Sequence, residues 1–165
     1  MKTIYIVRHA KSSWEYDGID DSDRPLKKRG IKDAHIMANA MKKQIKRPDV
    51  FMSSSANRAL HTGVIFCNTF NYPLSNLKVS KSLYSFSDGY LIKTVKALDD
   101  AYNSAIIFSH DHGISTFVNK YGNQLIDHVP TCGIIGIKLN IKHWKNLSKG
   151  KTILVDFPKN HKVYK

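Results

Sequence analysis

The chain has 165 residues, with 26 Lys plus Arg against 13 Asp plus Glu and a formal charge of +13. That length suits one domain with a sizeable core, and the positive balance favours anionic ligands: phosphorylated substrates, nucleic acid or acidic protein faces. The two cysteines, Cys67 and Cys132, make neither a disulfide framework nor a CxxC metal site. No apolar run has the length of a signal core or a membrane span, so a cytoplasmic setting with no membrane partner is expected.

The first predicted element is a strand from Thr3 to Val7, β-branched and aromatic, which stops at Arg8-His9. A cation and an imidazole at the end of a buried strand are costly to keep dry unless an anion meets them. In open α/β sheets that end is also where ligands bind. Arg8 and His9 therefore read as half of a phosphate site. An acidic loop follows, Asp17-Gly18-Ile19-Asp20-Asp21-Ser22-Asp23, closed by Arg24-Pro25-Leu26. It reads either as a solvated turn or as the source of a proton-donating carboxylate. The steps between Ile31, Ala34, Ala38, Met41 and Ile45 predict a helix over 30–45, although Lys27 stands where a Ser or Thr cap is expected.

Val50-Phe51-Met52 is a short second strand running into three serines. A serine cap followed by Leu60, Val64 and Cys67 on one face predicts the next helix. Arg58 falls in its first turn, where a cation opposes the helix dipole. An oxyanion held by the free amides and the guanidinium together resolves that conflict, as does simple exposure of the side chain. Leu77 to Val79 reads as a short strand and Tyr90 to Ala101 as a helix. Ala105 to Ser109 is the strongest strand, continuously apolar and so buried on both faces. It ends in His110-Asp111-His112-Gly113, and a helix with Ile114, Phe117 and Val118 inward follows. Gly133 to Leu139 and Thr152 to Phe157 are the last strands, paired as neighbours. The alternation predicts a single three-layer α/β/α domain over residues 1–165, with a mostly parallel central sheet of about six strands.

Three strand ends thus carry Arg8 with His9, Arg58, and His110. Two arginines repel a metal ion, and there is no HExxH pair, so neither a metal nor a cofactor is expected. Arginines with histidines suit a dianionic phosphoryl group.

Val7-Arg8-His9-Ala10, Ser54-Ser55-Ala56-Asn57-Arg58-Ala59 and Ser109-His110-Asp111-His112-Gly113-Ile114 resemble the three signature segments of the histidine phosphatase superfamily, which includes the phosphoglycerate mutases. Asp21-Ser22-Asp23-Arg24-Pro25-Leu26 with Arg29-Gly30 is most similar to its SixA-type phosphohistidine phosphatases. The resemblance implies a phosphoglycerate mutase-like fold and a metal-independent phosphatase. By the same resemblance, His9 is expected to attack phosphorus and form a covalent phosphohistidine. Arg8, Arg58 and His110 are expected to hold the phosphoryl oxygens. Neighbouring cations are expected to lower the pKa of His9, and a bound dianion to favour protonated His110. Asp21 matches the acidic loop position and is the implied proton donor, with Asp23 and Asp88 behind it. Leu83-Tyr84-Ser85-Phe86 lacks the glutamate of the mutase branch, which argues against mutase chemistry. Trp14, Tyr84 and Phe86 are candidates for the rim.

The substrate expected on this reading is phosphohistidine on a protein. A small phosphorylated metabolite is the alternative. A non-enzymatic basic module that binds nucleic acid is the second alternative, weakened by the lack of an aromatic-and-basic cluster.

Overall fold

The computed structural model describes residues 1–162. Its strands are β1 (Lys2–Arg8), β2 (Val50–Ser54), β3 (Lys78–Ser80), β4 (Ser104–Ser109), β5 (Ile134–Leu139) and β6 (Lys151–Asp156), and its helices are α1 (Lys28–Gln44), α2 (Asn57–Thr69), α3 (Gly89–Lys96) and α4 (Gly113–Tyr121). The strands form one sheet in the order β3-β2-β4-β1-β5-β6.

Alternation along β1 divides the core in two. Ile4 and Ile6 face a cluster with Leu91 and Val95 of α3 and Ile114, Phe117 and Val118 of α4. Tyr5 and Val7 face the opposite cluster, with Ala34, Met37 and Met41 of α1 and Ile65 and Phe66 of α2. The sheet is thus covered on both faces, which is why β4 is apolar throughout. β4 pairs in parallel with both β1 and β2, and Arg8 lies opposite Ser109 while Ser53 lies opposite Phe108. This register brings the carboxyl ends of three strands to one edge.

The sheet is mixed, because β5 runs antiparallel to β1 and β6 antiparallel to β5. After α4, the segment 122–133 carries the chain back to the carboxyl end of β1, where the Cys132 N–H donates to the carbonyls of Arg8 and His9, both at 3.0 Å. β5 then has only the reverse direction open to it.

Two expectations are corrected. The first residue outside α2 is Ala56, with no side-chain cap on the helix, although Ser54 Oγ does accept the Ala56 N–H at 3.1 Å. α3 ends at Lys96 and not near Ala101. Asp99 Oδ1 accepts the Ala101 N–H at 2.8 Å, a local turn that competes with the helix.

Candidate active site

His9 leaves β1 with its N–H on the Ser109 carbonyl at 3.2 Å. The next residue is fixed from α2: the Ala10 N–H donates to Thr62 Oγ1 at 3.0 Å, and that hydroxyl donates to the Arg58 carbonyl at 2.8 Å. His9 is only 8% exposed. Its Nδ1 lies 2.8 Å from the Ala10 carbonyl oxygen. A carbonyl only accepts, so Nδ1 carries the proton and Nε2 holds the free lone pair. Burial drives the His9 pKa down to about 4, with Arg58, Arg8 and Arg24 adding to the shift and the Ala10 hydrogen bond opposing it. The ring is neutral at physiological pH, as a nitrogen nucleophile has to be.

His9 lines a cavity of about 540 Å³ together with Arg8, Arg58, Asp21, Arg24, Trp14, Tyr84, Phe86 and Asp111. Arg8 Nη1 donates to the Val129 carbonyl at 3.0 Å. Arg58, 3% exposed, reaches across from α2 to Asp21. His110 is 1% exposed, and its ring centre lies 5.3 Å from those of His9 and Tyr84 and 5.4 Å from that of Phe86. Burial lowers the His110 pKa to about 3, helped by His9, Arg58 and Arg8. In the free protein this ring is neutral. A second cavity, of about 550 Å³ among Met52, Tyr90, Leu98 and Tyr102, holds no such convergence of guanidinium and imidazole groups.

Three buried side-chain polar atoms lack a hydrogen-bond partner among the described residues: Arg8 Nε, His110 Nδ1 and Asp111 Oδ2. All three belong to the carboxyl ends of β1 and β4. Unpaired buried polar groups are rare and costly. Unpaired nitrogens of an arginine and a histidine beside a neutral imidazole suit a phosphoryl group.

Of the three aspartates weighed as proton donors, Asp21 lines the cavity. It accepts hydrogen bonds from Tyr84 Oη at 2.5 Å, Arg58 Nη2 at 2.9 Å and Arg24 Nη1 at 3.1 Å. Partial burial alone acts to raise its pKa, but these three donors outweigh it and hold the carboxyl down to about 2. Asp88 instead faces Lys120 at 3.9 Å. Asp23 is exposed, and only its main chain engages a neighbour across the site, through Asn57 Nδ2 at 3.3 Å. Asp111, His112 and His128 come nearest to a ligand set for a cation, yet among the described residues no three His, Cys, Asp or Glu side chains are placed to hold a metal.

The family model of the histidine phosphatase superfamily (branch 1) matches residues 4–80, which include Arg8, His9 and Arg58. That match covers the first half of the chain, from β1 to β3, and so includes two of the three strand ends that meet at the cavity. The chain is 26% identical over 165 residues to an uncharacterized protein of Mycobacterium tuberculosis, covering 92% of this chain and 98% of that one. Its fold is shared with two solved phosphatases. A protein histidine phosphatase SixA complexed with tungstate gives a TM-score of 0.83 at 23% identity, covering 97% of this chain and 99% of the other. A mycobacterial glucosyl-3-phosphoglycerate phosphatase complexed with VO3 gives 0.69 at 11% identity, covering 93% and 98%.

Several residues of this cavity escaped the sequence reading. Asp111 carries no role in the sequence reading, though its place directly after His110 puts it at the same strand end, and it lines the cavity. Arg24 was read as closing a loop; in the structure it is 8% exposed and donates to the Ser13 carbonyl, Ser12 Oγ and Asp21. Its guanidinium lies 3.2 Å from the centre of the exposed Trp14 ring. Thr131 lines the cavity from the returning segment. No periodicity marks that residue, because its position depends on where 122–133 crosses β1.

Proposed function

We propose that this phosphatase removes phosphate from phosphohistidine on a protein, through a covalent intermediate at His9. Nε2 of His9 attacks phosphorus in line with the departing group. The P–N bond of the substrate breaks, and the leaving imidazole takes a proton from solvent water to depart neutral. Arg8 and Arg58 hold the non-bridging oxygens, with His110 as a third donor. Water then adds to phosphorus, the bond to Nε2 breaks, one water proton stays on the phosphate and the other returns to solvent.

The observation that carries this reading is the His9 tautomer. A buried neutral ring with Nδ1 occupied by the Ala10 carbonyl has one free nucleophilic atom, in a cavity lined by three guanidinium groups. The ionised state of Asp21 supports the phosphohistidine substrate in particular. A carboxylate tied to Arg24, Arg58 and Tyr84 carries no proton for a leaving group. An imidazole departs with little help, whereas an alkoxide needs an acid. Asp21 acts as an acid only once a bound dianion has taken Arg58 from it.

A second reading, hydrolysis of a small phosphomonoester, has support from the fold shared with a glucosyl-3-phosphoglycerate phosphatase. Parallel assays on a phosphohistidine protein, aryl phosphates and sugar phosphates separate the two. The expected result is the highest kcat/KM on the phosphohistidine protein. A clear preference for sugar phosphates would overturn this proposal and leave the His9 chemistry standing.

A further inference from the structure

The environment of His110 fixes which of its nitrogens holds the proton. Its Nε2 lies 2.8 Å from Ser54 Oγ, at the carboxyl end of β2. Ser54 is fully buried, and its Oγ already accepts the Ala56 N–H at 3.1 Å. Its hydroxyl hydrogen has one acceptor among the described contacts, and that acceptor is His110 Nε2. If Nε2 were the protonated atom, the serine hydrogen would be stranded and Nδ1 would present a bare lone pair. With Nε2 accepting, a single group is left over, the Nδ1–H, and Nδ1 is one of the three unpaired buried atoms.

We infer that Ser54 is a positioning residue that locks His110 as its neutral Nδ1–H tautomer, so that His110 binds the phosphoryl group as an uncharged donor. The inference rests on the phosphatase reading and refines it: the positive charge facing the bound phosphoryl group comes from Arg8 and Arg58, and His110 contributes direction. It also replaces the expectation that His110 works as an imidazolium. The groups facing the ring from each neighbouring element are consistent with this. His9 and Arg8 stand at the end of β1, Arg58 comes from α2, and Tyr84 and Asp21 close the open side, while Asp111 follows in sequence. Three of these neighbours, His9, Arg58 and Arg8, disfavour a charge on the ring and Asp21 alone favours one, while burial disfavours it most.

Long-range 1H–15N correlation spectra of the histidine rings test this in the free protein, without turnover. The expected pattern for His110 at about pH 7 is a protonated Nδ1 and an unprotonated Nε2. In Ser54→Ala the Nε2–H form should appear, and inorganic phosphate or vanadate should bind about tenfold more weakly at about pH 8, the size of one hydrogen bond to a charged group. Acidification should restore part of that loss, since a protonated ring donates from both nitrogens. Ser54→Thr, which keeps the hydroxyl, should retain the wild-type tautomer and affinity. A protonated Nε2 in the wild-type spectrum, or an unchanged tautomer in a folded Ser54→Ala, overturns the inference. The predicted tautomer in a protein that hydrolyses no phosphate compound would instead sink the phosphatase reading alone.

Discussion

Arg58 grips Asp21 twice, with Nη1 on its main-chain carbonyl at 2.8 Å and Nη2 on Oδ2 at 2.9 Å. The arginine expected to hold substrate phosphate is therefore pre-aimed by a carboxylate from a different part of the chain. Exchanging that carboxylate for a phosphoryl dianion costs little rearrangement, because both offer oxygen acceptors to the same fork.

The contact predicts a split phenotype for Asp21→Asn. KM should rise several-fold on every substrate, because Arg58 keeps its main-chain contact at residue 21 but loses its charged partner. The kcat on a phosphohistidine protein should stay within about threefold of wild type, while kcat on an alkyl phosphate falls by about tenfold or more, the lower range of general-acid effects. Steady-state kinetics on the two substrates check this. Equal loss of kcat on both would assign Asp21 to positioning alone.

His9→Ala should lower turnover by about a thousandfold or more on any substrate, since the nucleophile is gone. Acid-quenched wild-type protein should yield a phosphorylated His9, and the variant none. The pH profile follows from the same ring. Protonation destroys the nucleophile, and the His9 pKa lies at about 4. After allowing for ionisation of the phosphate itself, kcat/KM should stay flat through the ordinary histidine range near about 6.5 and fall only well below it.

Stability should weaken with mild acid. His9 and His110 sit at about 4 and about 3 when folded, chiefly because of burial, against about 6.5 in an unfolded chain. Below about pH 6.5 the unfolded chain therefore binds protons that the folded chain refuses, and stability falls as pH drops. Above that value the two rings contribute no pH dependence. Between about pH 7 and about pH 5 the loss should be on the order of 2–4 kcal/mol, read from urea midpoints. His110→Gln should remove about half of that slope; an unchanged slope would mean that the ring protonates freely in the folded state.

Gly30, in the first turn of α1, touches the loop that carries His9. A Cβ there would run into the Lys11 main-chain carbonyl, which also accepts the Lys27 N–H at 2.9 Å. Gly30→Ala must push main chain aside, so it should destabilise the protein by about 1–3 kcal/mol and lower kcat/KM by displacing Ala10 and His9. Thermal melts with kinetics on the same preparation test both effects. A stable variant with full activity would show that the loop moves at no cost.

Much of this molecule was legible from residue order. The apolar runs ending at His9 and His110, and the 3- and 4-residue steps of α1, depend on local propensity and on which face is buried, and both are written in the chain. The same holds for the residues proposed to bind phosphate, since Arg8, Arg58 and His110 each stand next to an element end. The early stop of α3 was less legible, because one carboxylate, that of Asp99, competes with the helix there.

What folding alone decided is pairwise and long-range. Nothing local says that β5 runs antiparallel to β1; that follows from segment 122–133 returning to the carboxyl edge. Nor does the acidic loop reveal that Asp21 is clamped by Arg24, Arg58 and Tyr84, up to 63 positions away, and so held ionised. The protonation states of His9, His110 and Asp21 depend on burial and on partners from other strands and helices. A sequence names the titratable groups, but their charge is a property of the space they come to share.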